Sequence, residues 1–219
     1  RTVIAMNADI VFVLDAPATM GVFIDRFRRE FLPEFTKQIE KIAQKDGGAD
    51  VRYKFIIFRD YGSEGAAAIK QSGFYKIPEE EEKLNHEMLY IEAGGGGDSP
   101  ENGLEAIYYA MKSEFAEGAG TQTIFFFTDA DAVGLGERRG CEGYPEDMVD
   151  EQGLKDVWAG KAPSRLTQKG KKLVIVAPEN TAYSRLAGEL DKTIFKPAAK
   201  SGNLNDIGLS DMFEVLGLL

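Results

Sequence analysis

Apolar residues run unbroken from Ile10 to Leu14 between Asp9 and Asp15. Such a run predicts a strand buried on both faces, as in a parallel sheet. From Met20 the spacing changes, and Phe23, Phe27, Phe31, Phe35, Ile39 and Ile42 recur near one face of a helix. Pro33 inside that run predicts a kink or a restart, and Lys45-Asp46-Gly47-Gly48 ends it. Val51 to Arg59 reads as a second strand, its first residues alternating between Val51, Tyr53, Phe55 and the polar Arg52 and Lys54.

Ala66 to Phe74 reads as a short return strand after a turn at Tyr61-Gly62-Ser63, and Glu79 to Met88 as a charged surface helix. A glycine run, Gly94 to Gly97, leads into Asp98-Ser99-Pro100-Glu101. A capping residue, a proline at the first helical position and an early glutamate predict a helix start. That helix is expected to bury Leu104, Ile107, Tyr108 and Met111. Further strands are expected over Thr123 to Thr128, Lys172 to Ala177 and Thr193 to Phe195. Further helices are expected over Glu146 to Trp158, Thr181 to Leu190 and Asn205 to Leu216. The glycine-rich stretch from Ala130 to Tyr144 reads as a long loop, a length often associated with function.

Strands alternating with helices predict an α/β fold with a doubly wound, mostly parallel central sheet and helices on both faces. The chain has 219 residues, enough for one core, and one domain over residues 1–219 is the expectation. With 36 acidic against 26 basic residues, the formal charge is −10, which argues against nucleic acid or an anionic membrane surface as partner. The apolar runs are too short to span a bilayer. Cys141 is the single cysteine, which rules out an intrachain disulfide and fits a reducing, cytoplasmic setting, although a secreted protein without bridges reads the same. No leader is visible, and the start at Arg1 leaves a processed leader or a larger parent protein open.

Three aspartates change the picture. Asp15 and Asp129 each follow a predicted central strand, and Asp98 precedes a predicted helix. In an open parallel sheet, ligands bind beyond the carboxyl ends of the strands, where strand order reverses. Converging carboxylates repel one another, so one takes up a proton or a cation neutralises them. Aspartate and threonine oxygens suit Mg²⁺, Mn²⁺ or Ca²⁺ rather than zinc. Any one of these aspartates reads most simply as a solvated loop end. Three at matching positions read better as a shared site.

The stretch Asp15-Ala16-Pro17-Ala18-Thr19-Met20 resembles the metal-ion-dependent adhesion motif of von Willebrand factor type A domains. Arg59-Asp60-Tyr61-Gly62, Gly95-Gly96-Gly97-Asp98-Ser99-Pro100-Glu101 and Thr128-Asp129-Ala130 follow in that family's order, over roughly Ala8 to Leu216. The chain is similar to the modules related to those of α-kinases and hemicentin-like proteins. The resemblance implies a metal held by Asp15, Thr19, Asp98 and Asp129, with Ser99 as the alternative to Asp98. It implies binding rather than catalysis, with the cation taking an aspartate or glutamate of a protein partner. Pro17 stands where the family has a serine and offers neither hydroxyl nor N–H. That departure predicts weakened affinity for Mg²⁺, or a metal-free domain serving as a scaffold in an assembly.

A third reading is a Mg²⁺-dependent phosphohydrolase of the haloacid dehalogenase type, but Pro17 occupies the position of that family's second aspartate. His86, the single histidine, reads as a surface residue, Trp158 as a core or semi-buried helix residue, and Arg59 with Asp60 as an ordinary ion pair. The glycine run lacks the Gly-Lys-Ser/Thr of a phosphate loop.

Overall fold

A computed structural model describes residues 6–16, 21–46, 48–89, 100–198 and 214. The first apolar run forms strand β1 (Met6–Asp15), and Ile10 through Leu14 are fully buried. Successive residues enter different clusters, as the two-residue period of a pleated strand requires. Ile10, Phe12 and Leu14 pack with Phe27, Phe35 and Phe125, whereas Val11 and Val13 pack with Leu104, Ile107 and Phe126.

The helical spacing after Met20 gives α1 (Gly21–Arg26) and α2 (Leu32–Asp46), joined by one wide turn at Phe27–Phe31. There the Leu32 N–H donates to the carbonyl of Phe27, five residues back. Pro33 explains the widening. It has no N–H for the Arg29 carbonyl, and its ring would clash with that carbonyl in a regular α-helix.

Five strands lie parallel: β1, β2 (Ala49–Phe58), β5 (Thr121–Phe127), β6 (Lys171–Ala177) and β7 (Thr193–Pro197). The short β3 (Ile69–Gln71) and β4 (Tyr75–Ile77) pair antiparallel with β2. The seven-stranded sheet runs β3-β2-β1-β5-β6-β7, with β4 also on β2. The chain is therefore mixed α/β with a mostly parallel central sheet. After β1 it adds β2 on one side, and β5 then pairs on the other side of β1. The β1–β5 seam is thus where strand order reverses.

Three expectations give way to the structure. The single return strand over Ala66 to Phe74 is instead preceded by α3 (Tyr61–Glu64) and a tight turn at Gly65–Ala67, and the strand pairing itself is split into β3 and β4. At the break the Ser72 hydroxyl accepts the Phe55 N–H at 2.8 Å, and the Ser72 N–H donates to the Phe55 carbonyl at 2.9 Å. A side chain has replaced one rung of the ladder. The helix expected to open at Pro100 opens later, as α5 (Gly103–Met111). Glu101 cannot join it, because its N–H donates to the Asp131 carbonyl and its own carbonyl accepts the Val133 N–H. Tyr108, expected in the core, is half-buried, while Leu104, Ile107 and Met111 are buried.

The remaining helices are α4 (Glu81–Leu89), α6 (Glu151–Trp158) and α7 (Ala182–Glu189). Helix α6 begins later than the sequence spacing implied, because the Asp150 carboxylate caps it by accepting the Gly153 N–H at 2.8 Å. Ala130 to Tyr144 is a loop with one bridge, Ala132 to Glu101. The helix expected over Asn205 to Leu216 lies outside the described residues but for Glu214. Among the described residues, no helix is long and apolar enough to cross a membrane.

Candidate functional site

The carboxyl end of β1 delivers Asp15 to the seam with β5. Register places Leu14 beside Phe127, so the next residues, Asp15 and Thr128, become neighbours. The Thr128 hydroxyl donates to Asp15 Oδ2 at 2.6 Å. Asp15 is fully buried, and its Oδ1 has no hydrogen-bond partner among the described residues. Burial holds the carboxyl well above the usual aspartate range. The Thr128 hydrogen bond opposes that shift, and the nearby charges of Glu101 and Asp129 add to it.

Glu101 is the second buried carboxyl at this edge, 4% exposed, and its Oε2 also lacks a partner among the described residues. Burial pushes its pKa up to about 7, with the charges of Asp60, Glu64 and Asp129 raising it and Arg59 lowering it. Asp129 follows Thr128, is half-buried, and acts electrostatically on both Asp15 and Glu101. Three carboxyl groups from separate stretches of chain therefore feel one another at the switch point of the sheet.

The motif Arg59-Asp60-Tyr61-Gly62 braces this edge. Arg59 Nε donates to the Ala16 carbonyl at 3.2 Å, and the Ala16 N–H donates to the Phe58 carbonyl at 3.1 Å. Asp60 receives two hydrogen bonds from Arg138, at 2.6 and 3.2 Å, so its partner comes from the long loop. Gly62 permits that pair, since a Cβ there would stand 2.7 Å from Asp60 Oδ2. Asn102 ties β2 to α5: its N–H donates to the Arg59 carbonyl and its Oδ1 accepts the Tyr61 N–H at 2.9 Å.

The 130–144 loop is fastened at a second point. Glu105, fully buried in α5, accepts the Tyr144 hydroxyl at 2.8 Å and the Gly136 N–H at 3.4 Å. Beneath the carboxylates lies Tyr183, completely buried, its hydroxyl without a partner among the described residues. Burial raises its pKa strongly, and the charges of Asp15 and Glu105 add to the effect. Gly103 makes room for it, because a Cβ on Gly103 would meet the Tyr183 hydroxyl at 2.1 Å.

Of the residues implicated by sequence, Asp15 and Asp129 come together. Pro17, Thr19, Asp98 and Ser99 lie outside the described residues. Among the described residues, no group of three or more histidine, cysteine, aspartate or glutamate side chains has metal-ligand spacing. Sequence reasoning missed Glu105 and Tyr183, and it gave Glu101 and Thr128, which stand in the motifs, no role in the site. A signal existed for Glu105, an acidic residue on the otherwise apolar face of α5. The burial of Glu101 gave none, since it comes from bridging to Ala132, a residue distant in sequence. Trp158 is buried as expected, its indole N–H donating to the Asp191 carbonyl at 2.8 Å. His86 is exposed on α4.

Two buried carboxyl oxygens at this edge, Asp15 Oδ1 and Glu101 Oε2, lack partners among the described residues, and oxygen donors are the kind that suit a hard divalent cation. No family model matches the sequence, and no curated protein matches it. Solved structures are similar in fold. A pilus adhesin, SpaC from Lactobacillus rhamnosus GG, superposes with a TM-score of 0.57 at 11% identity, over 98% of this chain and 31% of the adhesin. Its open conformation gives 0.53 at 10% identity, over 98% and 30%. Proximal thread matrix protein 1 from the mussel byssus gives 0.48 at 11% identity, over 98% and 47%. This chain thus spans about a third of the adhesin's length, and the likeness is one of fold.

Proposed function

We propose that the chain is a von Willebrand factor type A-like binding domain that holds a divalent cation at the β1–β5 seam and uses it to engage a carboxylate of a protein partner. The observation that carries this reading is the fully buried Asp15 carboxyl with one oxygen unpartnered among the described residues, within electrostatic reach of Glu101 and Asp129. A buried charge is costly unless it is paired. An acidic group kept in such a place calls for a proton or a cation.

In this reading the sheet is doubly wound, with helices on both faces. The division of β1 side chains between two buried clusters, one with Phe27 and Phe35 and the other with Leu104 and Ile107, supports that layout. Asp15, Thr19, Asp98 and Asp129 hold the cation, Ser99 replaces Asp98 if the glycine loop sets a different register, and Glu101 completes the negative field. When bound, Mg²⁺, Mn²⁺ or Ca²⁺ neutralises these carboxylates and offers a coordination position to a partner's aspartate or glutamate. Thr128 orients Asp15. The loop pinned by Asp60–Arg138 and Glu105–Tyr144 sets what can approach. The chain's fold is shared with a pilus adhesin, which agrees with a binding role.

A specific observation favours a second reading, a metal-free scaffold. With its pKa raised by burial in spite of the Thr128 hydrogen bond, Asp15 can persist as a neutral acid. Crystals soaked in millimolar Mn²⁺ separate the two readings. The cation reading predicts an anomalous peak beside Asp15, and a flat anomalous map at that edge supports the scaffold.

A further inference from the structure

The opposite edge of the sheet carries the reverse charge. Where β5, β6 and β7 begin, a hollow of about 450 Å³ is lined by Lys169, Lys171, Lys172 and Lys192 together with Gly120 and Gly170, and no carboxylate lines it. In a chain with a formal charge of −10, four lysines around one concavity run against composition.

The lysines differ in how their charge is used. Lys171 is buried and neutralised, its Nζ pairing with Asp191 at 2.8 Å while donating to the Trp158 carbonyl at 2.6 Å and to Gln168 Oε1 at 2.7 Å. Lys192 Nζ donates to the main-chain carbonyls of Gln168 and Lys169. Carbonyls orient an ammonium group without cancelling its charge. Lys169 is exposed, and its ammonium has no partner among the described residues. Lys172 is half-buried on the same wall. A lysine that only solvates a surface has no need of a concave wall shared with three others. A hollow of this size falls within the range of small-molecule sites, about 300–1,000 Å³, and lysine binds phosphate as a compact point charge.

We propose that this hollow binds a compact oxyanion of the phosphate or sulfate type, free or carried on a larger molecule. The site is independent of the cation edge, so it is assayed in chelator. Pyrophosphate, sulfate and a phosphoserine peptide are titrated calorimetrically into the chain at an ionic strength of about 0.15 M, where weak surface attraction is screened. Saturable one-site binding is expected for pyrophosphate or the phosphopeptide. Pyrophosphate binding marks a free ligand, and binding of the phosphopeptide alone marks a carried one. Lys169→Gln, at an exposed position, should weaken binding about tenfold, the cost of one charge-assisted hydrogen bond, and Lys192→Gln by a similar factor. The exposed Lys161, outside the hollow, serves as control, and Lys161→Gln should change nothing. Absence of saturable binding for all probes overturns the proposal. So does an equal loss in Lys161→Gln, or an unphosphorylated acidic peptide binding as tightly as the phosphopeptide.

Discussion

Thr128 donates a 2.6 Å hydrogen bond to Asp15 across the seam between two parallel strands, fixing one carboxyl oxygen while the other has no partner among the described residues. This arrangement follows from register, since Leu14 lies beside Phe127 and the residue after each must meet. Removing the hydroxyl leaves a buried acid with no side-chain donor among the described residues. Thr128→Val is therefore expected to cost about 1–3 kcal/mol of unfolding free energy, the penalty for leaving a buried acceptor without its donor, while Thr128→Ser keeps most of the stability. Urea denaturation of the two variants checks this.

Glu101 gives stability a pH dependence of definite sign. Its pKa rises from the ordinary 4.5 to about 7 on folding, so the folded state holds this proton more tightly than the unfolded chain. Its contribution is fully present below pH 4.5 and is lost as pH rises toward about 7. In chelator, Glu101→Gln should match the wild type in acid and become the more stable protein above neutrality. Millimolar Mg²⁺ should shrink that gap by stabilising the wild type. Thermal melts across pH, with and without Mg²⁺, read both effects.

Gly103 is required by Tyr183. A methyl group at residue 103 would meet the Tyr183 hydroxyl at 2.1 Å and Phe126 Cζ at 2.8 Å, so Gly103→Ala should destabilise by about 1–3 kcal/mol through overpacking. Tyr183→Phe removes the nearer atom and should recover part of that loss in the double variant. Measured additivity of the two changes would disprove the contact.

Two polar latches fasten the 130–144 loop, beside the bridge from Ala132 to Glu101 and the burial of Val133 and Tyr144. The Asp60–Arg138 pair is partly exposed on the arginine side, so its contribution to global stability is about 1 kcal/mol or less. Its local effect should be larger. Arg138→Met is expected to speed amide hydrogen exchange in the loop without moving the exchange of β1 or β5.

Some of this architecture was legible in the sequence because local physics dictated it. The unbroken run ending at Asp15 and the phenylalanine spacing after Met20 became β1 and the α1–α2 run, since burial and helical period leave few alternatives. Pro33 announced a break, though not that one wide turn would absorb it. What stayed hidden depended on long-range pairing. Ser72 closing a rung against Phe55 split the return strand, and the bridge from Glu101 to Ala132 delayed α5 and buried a carboxyl. Asp15 and Asp129 were readable as strand-end acids. Thr128 as the donor to Asp15 and Arg138 as the partner of Asp60 were not, because strand register and loop path set those contacts.

Isothermal titration of Mn²⁺ into the wild type, Asp15→Asn and Asp129→Ala addresses the β1–β5 edge most directly. One saturable site in the wild type, abolished or greatly weakened in both variants, is the result expected from acids gathered there to share a divalent ion. No heat beyond dilution in the wild type, or the same binding curve in all three proteins, contradicts it.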